Sequence, residues 1–404
     1  MPSPILFKPV NKSMSDLDIS TSHALAREHF REWVDIHLVP YADTFDHEQR
    51  TPPEMIQTLA KAHYLGGLVP SEYGGKGMDV LSWGLLCEEI GRGSASILSL
   101  LTVQSMVIQT LLKWGTTQQK EKWLPKLATG ELIGAFALTE PGIGSDARNI
   151  ESTATRNEDG TYTLFAQKKW ISFGQSADVY LLFAKVGDQA TAFLVEAKSP
   201  NFTVEPIQGM MGFRSANLAN LHLNGVIVPA EQMVGKPGFG FSHIASTALD
   251  QGRYCIAWGC VGLSRASLEA SLEYAGARVQ FGKPLVEHQL IQQMLTDMMV
   301  KTKAARLLCL DAARLKMSGE PSLIMETSAS KYYASRIAVE SANDAVQIHG
   351  ANGFSDQFPV QRYFRDAKVM EIIEGSTQMQ QMIIARNGFQ EHQMIQRERQ
   401  QKAN

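Results

Sequence analysis

The chain has 404 residues, 44% of them hydrophobic and 20% charged, and a net charge of −3. That length exceeds what one hydrophobic core usually serves, and the near-neutral charge excludes a disordered or nucleic-acid-coating protein. Cys87, Cys255, Cys260 and Cys309 form no CxxC pair, which argues against a zinc or disulfide framework. It points to buried thiols in a reducing, cytoplasmic compartment.

The N-terminal MPSPILFKPVNKSMSDLD has an apolar run too short for a signal peptide, so export is not expected. From about residue 22 to 130 apolar residues recur at helical spacing, with Gly and Pro at the breaks. One uncharged run, GSASILSLLTVQSMVIQTLL from Gly93 to Leu112, is long enough to cross a bilayer. Its Ser, Thr and Gln residues are too many for lipid, so the run is expected to be a helix inside the protein, with no membrane partner. From about 135 to 235 the period changes to two, and the Asp-Gly pair within Asn157–Gly160 suits a hairpin turn. After GKPGFGF the helical period returns and persists to about residue 388. There Leu290, Met294, Met298 and Leu308 can share an inward stripe, with Gln292, Lys301 and Arg306 elsewhere. The closing EHQMIQRERQQKAN is polar and expected to fray. The fold class is thus α+β, mostly α: a helical domain over 1–134, a barrel-like β domain over 135–237, a bundle of long helices over 238–390 and a polar tail over 391–404.

The familiar cofactor signatures are missing: no G-x-G-x-x-G follows a strand, and neither a Walker loop nor HExxH occurs. Two stretches suit backbone exposure to a ligand. FALTEPGIGSDA (136–147) combines two glycines and a proline with small hydroxyl and acidic groups, which fits either a surface turn or a polar-ligand loop. QKKWISFG (167–174) places Trp170 and Ser172 two apart on an expected strand, hence on one face. An aromatic ring beside a hydroxyl suits either a core or a flat heteroaromatic ligand. A third stretch, EIIEGSTQ, sets Glu371 and Glu374 in apolar company, the second directly before Gly375.

These segments, with RVQFGKPLVEHQ (278–289) and QIHGANGF (347–354), stand in the order and spacing of the acyl-CoA dehydrogenases, which the chain resembles over about residues 20–388. The resemblance implies an N-terminal helical domain, a middle β domain and a C-terminal four-helix bundle, assembled as a homo-oligomer (a tetramer or dimer) around FAD. It assigns Phe136, Leu138, Thr139, Trp170 and Ser172 to the isoalloxazine ring. Arg278, Phe281 and Gln289, with Gln347, Gly350 and Ala351 from a neighbouring subunit, are assigned to the pyrophosphate and adenosine. Ser376 and Gln378 also match cofactor positions. Ser145, Asp250 and Arg253 match pantetheine contacts, Gly375 lets the substrate approach closely, and Glu374 matches the catalytic base.

The chemistry implied is removal of the α-proton of an acyl thioester by Glu374 and departure of the β-hydride to flavin N5. The thioester oxygen is met by the Glu374 N–H and a ribityl hydroxyl. Apolar Met370, Ile372 and Ile373 are expected to lift the base's pKa. Glu371, on the same helical face but without the following glycine, is the rival base; the favoured reading is a solvated or ion-paired side chain near Arg365 or Lys368. In the family the uncharged helix lines the acyl cavity. Here Gln104 and Ser105 near its middle favour a short or polar acyl group. SANLAN (215–220) departs from the S-D-T-R-like string of CoA-dependent relatives, which favours a thioester on an acyl carrier protein, as in polyketide extender-unit biosynthesis. The alternatives are a short-chain acyl-CoA dehydrogenase and a flavin monooxygenase or oxidase. The electron acceptor is expected to be an electron-transfer flavoprotein or oxygen.

Overall fold

The computed structural model describes residues 20–318 and 323–403; MPSPILFKPVNKSMSDLD lies outside them. Six helices come first: α1 (Thr21–His37), α2 (Val39–Glu48), α3 (Pro53–Lys61), α4 (Val80–Gly93), α5 (Ala95–Trp114) and α6 (Thr117–Thr129). Polar residues cap the starts of four of them. The side chains of Ser20, Asp79 and Ser94 accept from His23 N, Ser82 N and Ile97 N, and Thr116 and Gln119 form a reciprocal capping box. The uncharged run is α5, enclosed by α4, α6 and the first strand and by a long helix of the bundle. Three of its buried hydroxyls donate back along the helix: Ser99 to Ser96 O, Thr102 to Leu98 O and Ser105 to Thr102 O.

The middle of the chain folds into strands β1 (Gly134–Ala137), β2 (Thr153–Arg156), β3 (Tyr162–Ile171), β4 (Val179–Val186), β5 (Gln189–Glu196), β6 (Phe202–Pro206), β7 (Ala219–Val228) and β8 (Met233–Val234). Their order is β6-β7-β3-β2-β4-β5-β8, with β1 and β2 both parallel to β4. Among the described residues β6 and β8 are the two ends of the path, so the sheet is open where a barrel-like form was expected. The hairpin β2–β3 turns at Asn157–Gly160, where Gly160 has φ +86° and donates to Asn157 O.

A π-helical turn, Gly240–Ala245, feeds the 32-residue α7 (Ser246–Ala277). A small hairpin follows, β9 (Val279–Gln280) with β10 (Lys283–Pro284), then α8 (Gln289–Ser318), α9 (Leu323–His349), α10 (Val360–Ile372) and α11 (Thr377–Ala403). Helix α7 is the hub, packing against α4, α5, α8 and α9. The polar tail continues α11 through residue 403 rather than fraying at 391, because Gln, Glu, Arg and Met all favour helix. The expected stripe of α8 also needs correction. Leu290 is 73% exposed, and Arg306 is buried.

Arg306 is buried because a charge cluster receives it. Glu88 and Glu89 are fully buried and meet Arg27, Arg92, Arg265 and Arg306, with Arg265 Nη1 2.6 Å from each carboxylate. Burial opposes their ionisation, but the guanidiniums prevail and hold both carboxyls well below the usual range. The cluster locks α1 and α4 to α7 and α8. The four cysteines are buried thiols, as expected.

Candidate active site

Where α10 ends, the chain turns sharply: Ile373 is extended, and Glu374 and Gly375 both take left-handed backbones, with φ +55° and +89°. A glutamate in that conformation is strained, and such strain concentrates at functional sites. Three side chains hold the turn by its carbonyls. Arg253 Nε donates to Glu374 O at 3.2 Å, Gln380 Nε2 to Glu374 O and Gly375 O at 3.0 and 2.9 Å, and Lys331 Nζ to Gly375 O at 2.9 Å. The Glu374 carboxyl lies against α7 at Gly252, where an added Cβ would stand 2.2 Å from Glu374 Oε2 and 3.1 Å from Met106 Sδ. Gly252 therefore leaves room for the carboxyl, and any side chain there would displace it.

Glu374 Oε2 is shut from solvent and has no hydrogen-bond partner. Burial pushes its carboxyl up to about 7, partly opposed by the Arg253 and Lys331 cations. The apolar wall differs from expectation. Met370 is buried and Ile373 partly so, but Ile372 is 60% exposed, and Met106 from α5 takes its place. Glu371 pairs with Lys368 at 2.7 Å, as read from the sequence, whereas Arg365 pairs with Asp46.

Phe136 packs with Val103, Met106, Ala248 and Leu249, which places the end of β1 beside the Glu374 pocket. From there Leu138 and Thr139 run next to β3, where Lys169 N donates to Thr139 O at 2.9 Å. Trp170 and Ser172 do not share a strand face. The register shifts between Lys168 and Ile171, Trp170 has φ +63°, and Ser172 lies beyond the strand. The bulge turns the indole outward, 46% exposed, next to the half-buried Thr139 and Ser172. An open aromatic face and two hydroxyls fit the isoalloxazine ring of a flavin. Beneath the loop Lys168 is fully buried, 2.7 Å from Glu140 and 3.2 Å from Leu138 O.

Other assigned residues lie apart. Ser145 is exposed in the loop after β1, and Asp250 is ion-paired with Lys316. Ser376 Oγ accepts from Met379 N at 3.4 Å, and Gln378 is exposed on the first turn of α11. Arg278, Phe281 and Gln289 are exposed around the β9–β10 hairpin, Phe281 at 96% with φ +52°; Gln347, Gly350 and Ala351 are exposed at the end of α9. Gln104 departs from its expected role toward substrate. It is fully buried, its amide nitrogen donates to Leu127 O and Leu132 O, and its oxygen accepts from Gly134 N at 2.6 Å, so it joins α5 to β1. SANLAN is likewise structural. Asn217 bonds both N and O of Thr51 at 2.9 Å, and Ser215 O accepts from Thr51 Oγ1.

Sequence reasoning missed Gly252, Lys331, Gln380 and the Lys168–Glu140 pair. The available signals were a glycine inside a long helix and lysines within otherwise apolar or small-residue elements.

Residues 20–131, 135–226 and 238–389 match the family models described as acyl-CoA dehydrogenase N-terminal, middle and C-terminal domains. The chain is 38% identical over 376 residues to an acyl-CoA dehydrogenase of Bacillus subtilis, covering 92% of this chain and 98% of that protein. It is 36% identical to the mitochondrial short-chain specific acyl-CoA dehydrogenase of Rattus norvegicus, covering 91% and 90%. Butyryl-CoA dehydrogenase from Megasphaera elsdenii superposes with a TM-score of 0.89 at 35% identity, covering 93% of this chain and all of that one. A prolyl acyl carrier protein oxidase, AnaB, superposes with a TM-score of 0.86 at 26% identity over 91% of this chain and 99% of its own. The chain therefore belongs to the acyl-CoA dehydrogenase family, whose enzymes are FAD-dependent oxidoreductases of acyl thioesters.

Proposed function

We propose that this protein catalyses α,β-dehydrogenation of a short-chain acyl-CoA with Glu374 as the base. The observation that carries the reading is Glu374 Oε2, shut from solvent without a partner against Gly252 of α7 and Met106 of α5, with burial pushing its carboxyl up to about 7. A base of that pKa is matched to abstraction at neutral pH, and its unfilled oxygen is an acceptor awaiting a proton. The α-proton passes to Glu374. FAD held at this site would supply the two-electron acceptor for the hydride that leaves the β-carbon. Trp170, Thr139 and Ser172 would hold the isoalloxazine, and Phe136 closes the pocket between that end and Met106. The Glu374 N–H is the protein donor that the family resemblance assigns to the thioester carbonyl, where negative charge develops.

A CoA thioester is favoured over a carrier-bound one by the short-chain enzymes at 36% identity, against 26% for the carrier-protein oxidase. Gln104 and Ser105 of α5 do not decide acyl polarity, since Gln104 is spent on the backbone of Leu127, Leu132 and Gly134 and Ser105 donates to Thr102 O. Replacing Glu374 by Gln should leave FAD bound and abolish bleaching of the flavin by butyryl-CoA under anaerobic conditions. Near-normal turnover of that variant would remove the base assignment. Titrating the native enzyme with butyryl-CoA and with a butyryl-loaded carrier protein separates the carriers; bleaching by the second alone reverses the choice. Electrons then leave to an electron-transfer flavoprotein or oxygen, and a large rate with air alone would favour the oxidase alternative.

A further inference from the structure

Lys331 is a buried cation with no role in the reaction as described so far. It lies on α9, is 0% exposed, and spans from that helix to the turn after α10, where Nζ donates to Gly375 O at 2.9 Å and Glu371 O at 3.3 Å. A lysine is almost never buried without a paired carboxylate, yet both its hydrogen-bond acceptors here are backbone carbonyls. Those carbonyls bracket the left-handed pair Glu374–Gly375. We propose that Lys331 is a positioning residue for the proton-abstraction step: its ammonium fixes the 371–375 turn so that Glu374 points past Gly252 into the substrate cleft, and supplies the cation facing that carboxylate from behind. The proposal rests on Glu374 being the base.

The charge environment supports this division of labour. Lys331 faces Cys260 and Arg253 from α7, Glu371 from α10 and Glu374 from the turn. Burial lowers the lysine to about 8, so it remains mostly charged at neutral pH. On the other side, Glu374 faces the cations Arg253 and Lys331 among the described residues, and both favour its ionised form. Arg253 already serves the Glu374 carbonyl and the substrate side, which leaves Lys331 as the cation that substrate cannot displace.

The test uses the FAD-loaded enzyme and anaerobic reduction by butyryl-CoA in stopped flow. Lys331→Met removes charge and donors, Lys331→Gln keeps donors without charge, and Lys331→Arg keeps both. The Met variant should bind butyryl-CoA within a few-fold of wild type. Its limiting reduction rate should fall on the order of 10²-fold, as expected for a displaced base. The pH at which that rate reaches half its plateau should move upward in Met and Gln and return towards wild type in Arg. A Met variant with unchanged limiting rate and unchanged pH profile overturns the proposal, as does a loss confined to stability. Glu374→Gln, run alongside, reports on the base separately: normal turnover there fails the base assignment whatever Lys331 does. If the Met and Gln variants lose flavin, the titration of isotopically labelled Lys331 Nζ decides. Its pKa should drop when Glu374→Gln removes the facing charge, and an unmoved pKa overturns the proposal.

Discussion

At Glu374 folding and catalysis make opposite demands on one carboxyl. Burial lifts it from the ordinary 4.5 to about 7, so the native state prefers the protonated form more than the unfolded chain does. Its contribution to stability is complete below about 4.5 and is lost as pH rises through about 7. Glu374→Gln should therefore be more stable than wild type at pH 8, by about 3 kcal/mol, with the difference vanishing near pH 4. Thermal denaturation at the two pH values measures this. Limiting flavin reduction by butyryl-CoA should run the other way, rising through about pH 7 to a plateau. The proposed base was legible because a Glu-Gly pair in a known motif is local information. Gly252 and Lys331 were not, since each is defined by a neighbour more than forty positions away, and neither a helical glycine nor an isolated lysine names its partner.

Among elements, the loop after β1 and the end of β3 form one unit whose rigidity comes from below. Lys168 is clamped between Glu140 and Leu138 O, while Glu140 also accepts from Glu151 N and from the N–H and hydroxyl of Ser152. Lys168→Met would strand a buried carboxylate, which typically costs about 3–5 kcal/mol. We expect a lower urea midpoint together with faster release of FAD, measured by flavin fluorescence; loss of stability with unchanged FAD release would show that the pair does not shape the flavin edge. Alternating patterns revealed β3 itself, but not the bulge that rotates Trp170 out of line with Ser172, because a register shift depends on the β7 partner. The same limit explains Gln104. Its polarity in a hydrophobic helix reads as a ligand contact until the backbone of Leu127, Leu132 and Gly134 is seen around it.

Across the whole molecule, α7 separates the Glu374 turn from the residues assigned to the adenosine end of the cofactor. Arg278, at that end, lies about 37 Å along a continuous helix from Arg253, which holds the Glu374 turn. The 96% exposed Phe281 and the exposed Val279 and Leu290 cluster at that distant end. A second copy of the chain presenting this end to the Trp170 side would complete the site. Phe281→Asp should accordingly yield smaller particles in sedimentation velocity that retain less FAD, while a variant keeping both size and FAD content would refute shared sites. The outline of three segments was readable from periodicity, whereas this geometry depends on where helices point in space. The buried carboxylates of Glu88 and Glu89 bear on how such a chain can diversify. Their counter-charges are drawn from α1 and α4 in the first third and α7 and α8 in the last, so the two are chemically one heritable unit. A recombinant that takes one helical third from a relative with differently placed arginines inherits unpaired charge, and viable exchanges must carry both ends of the gene together.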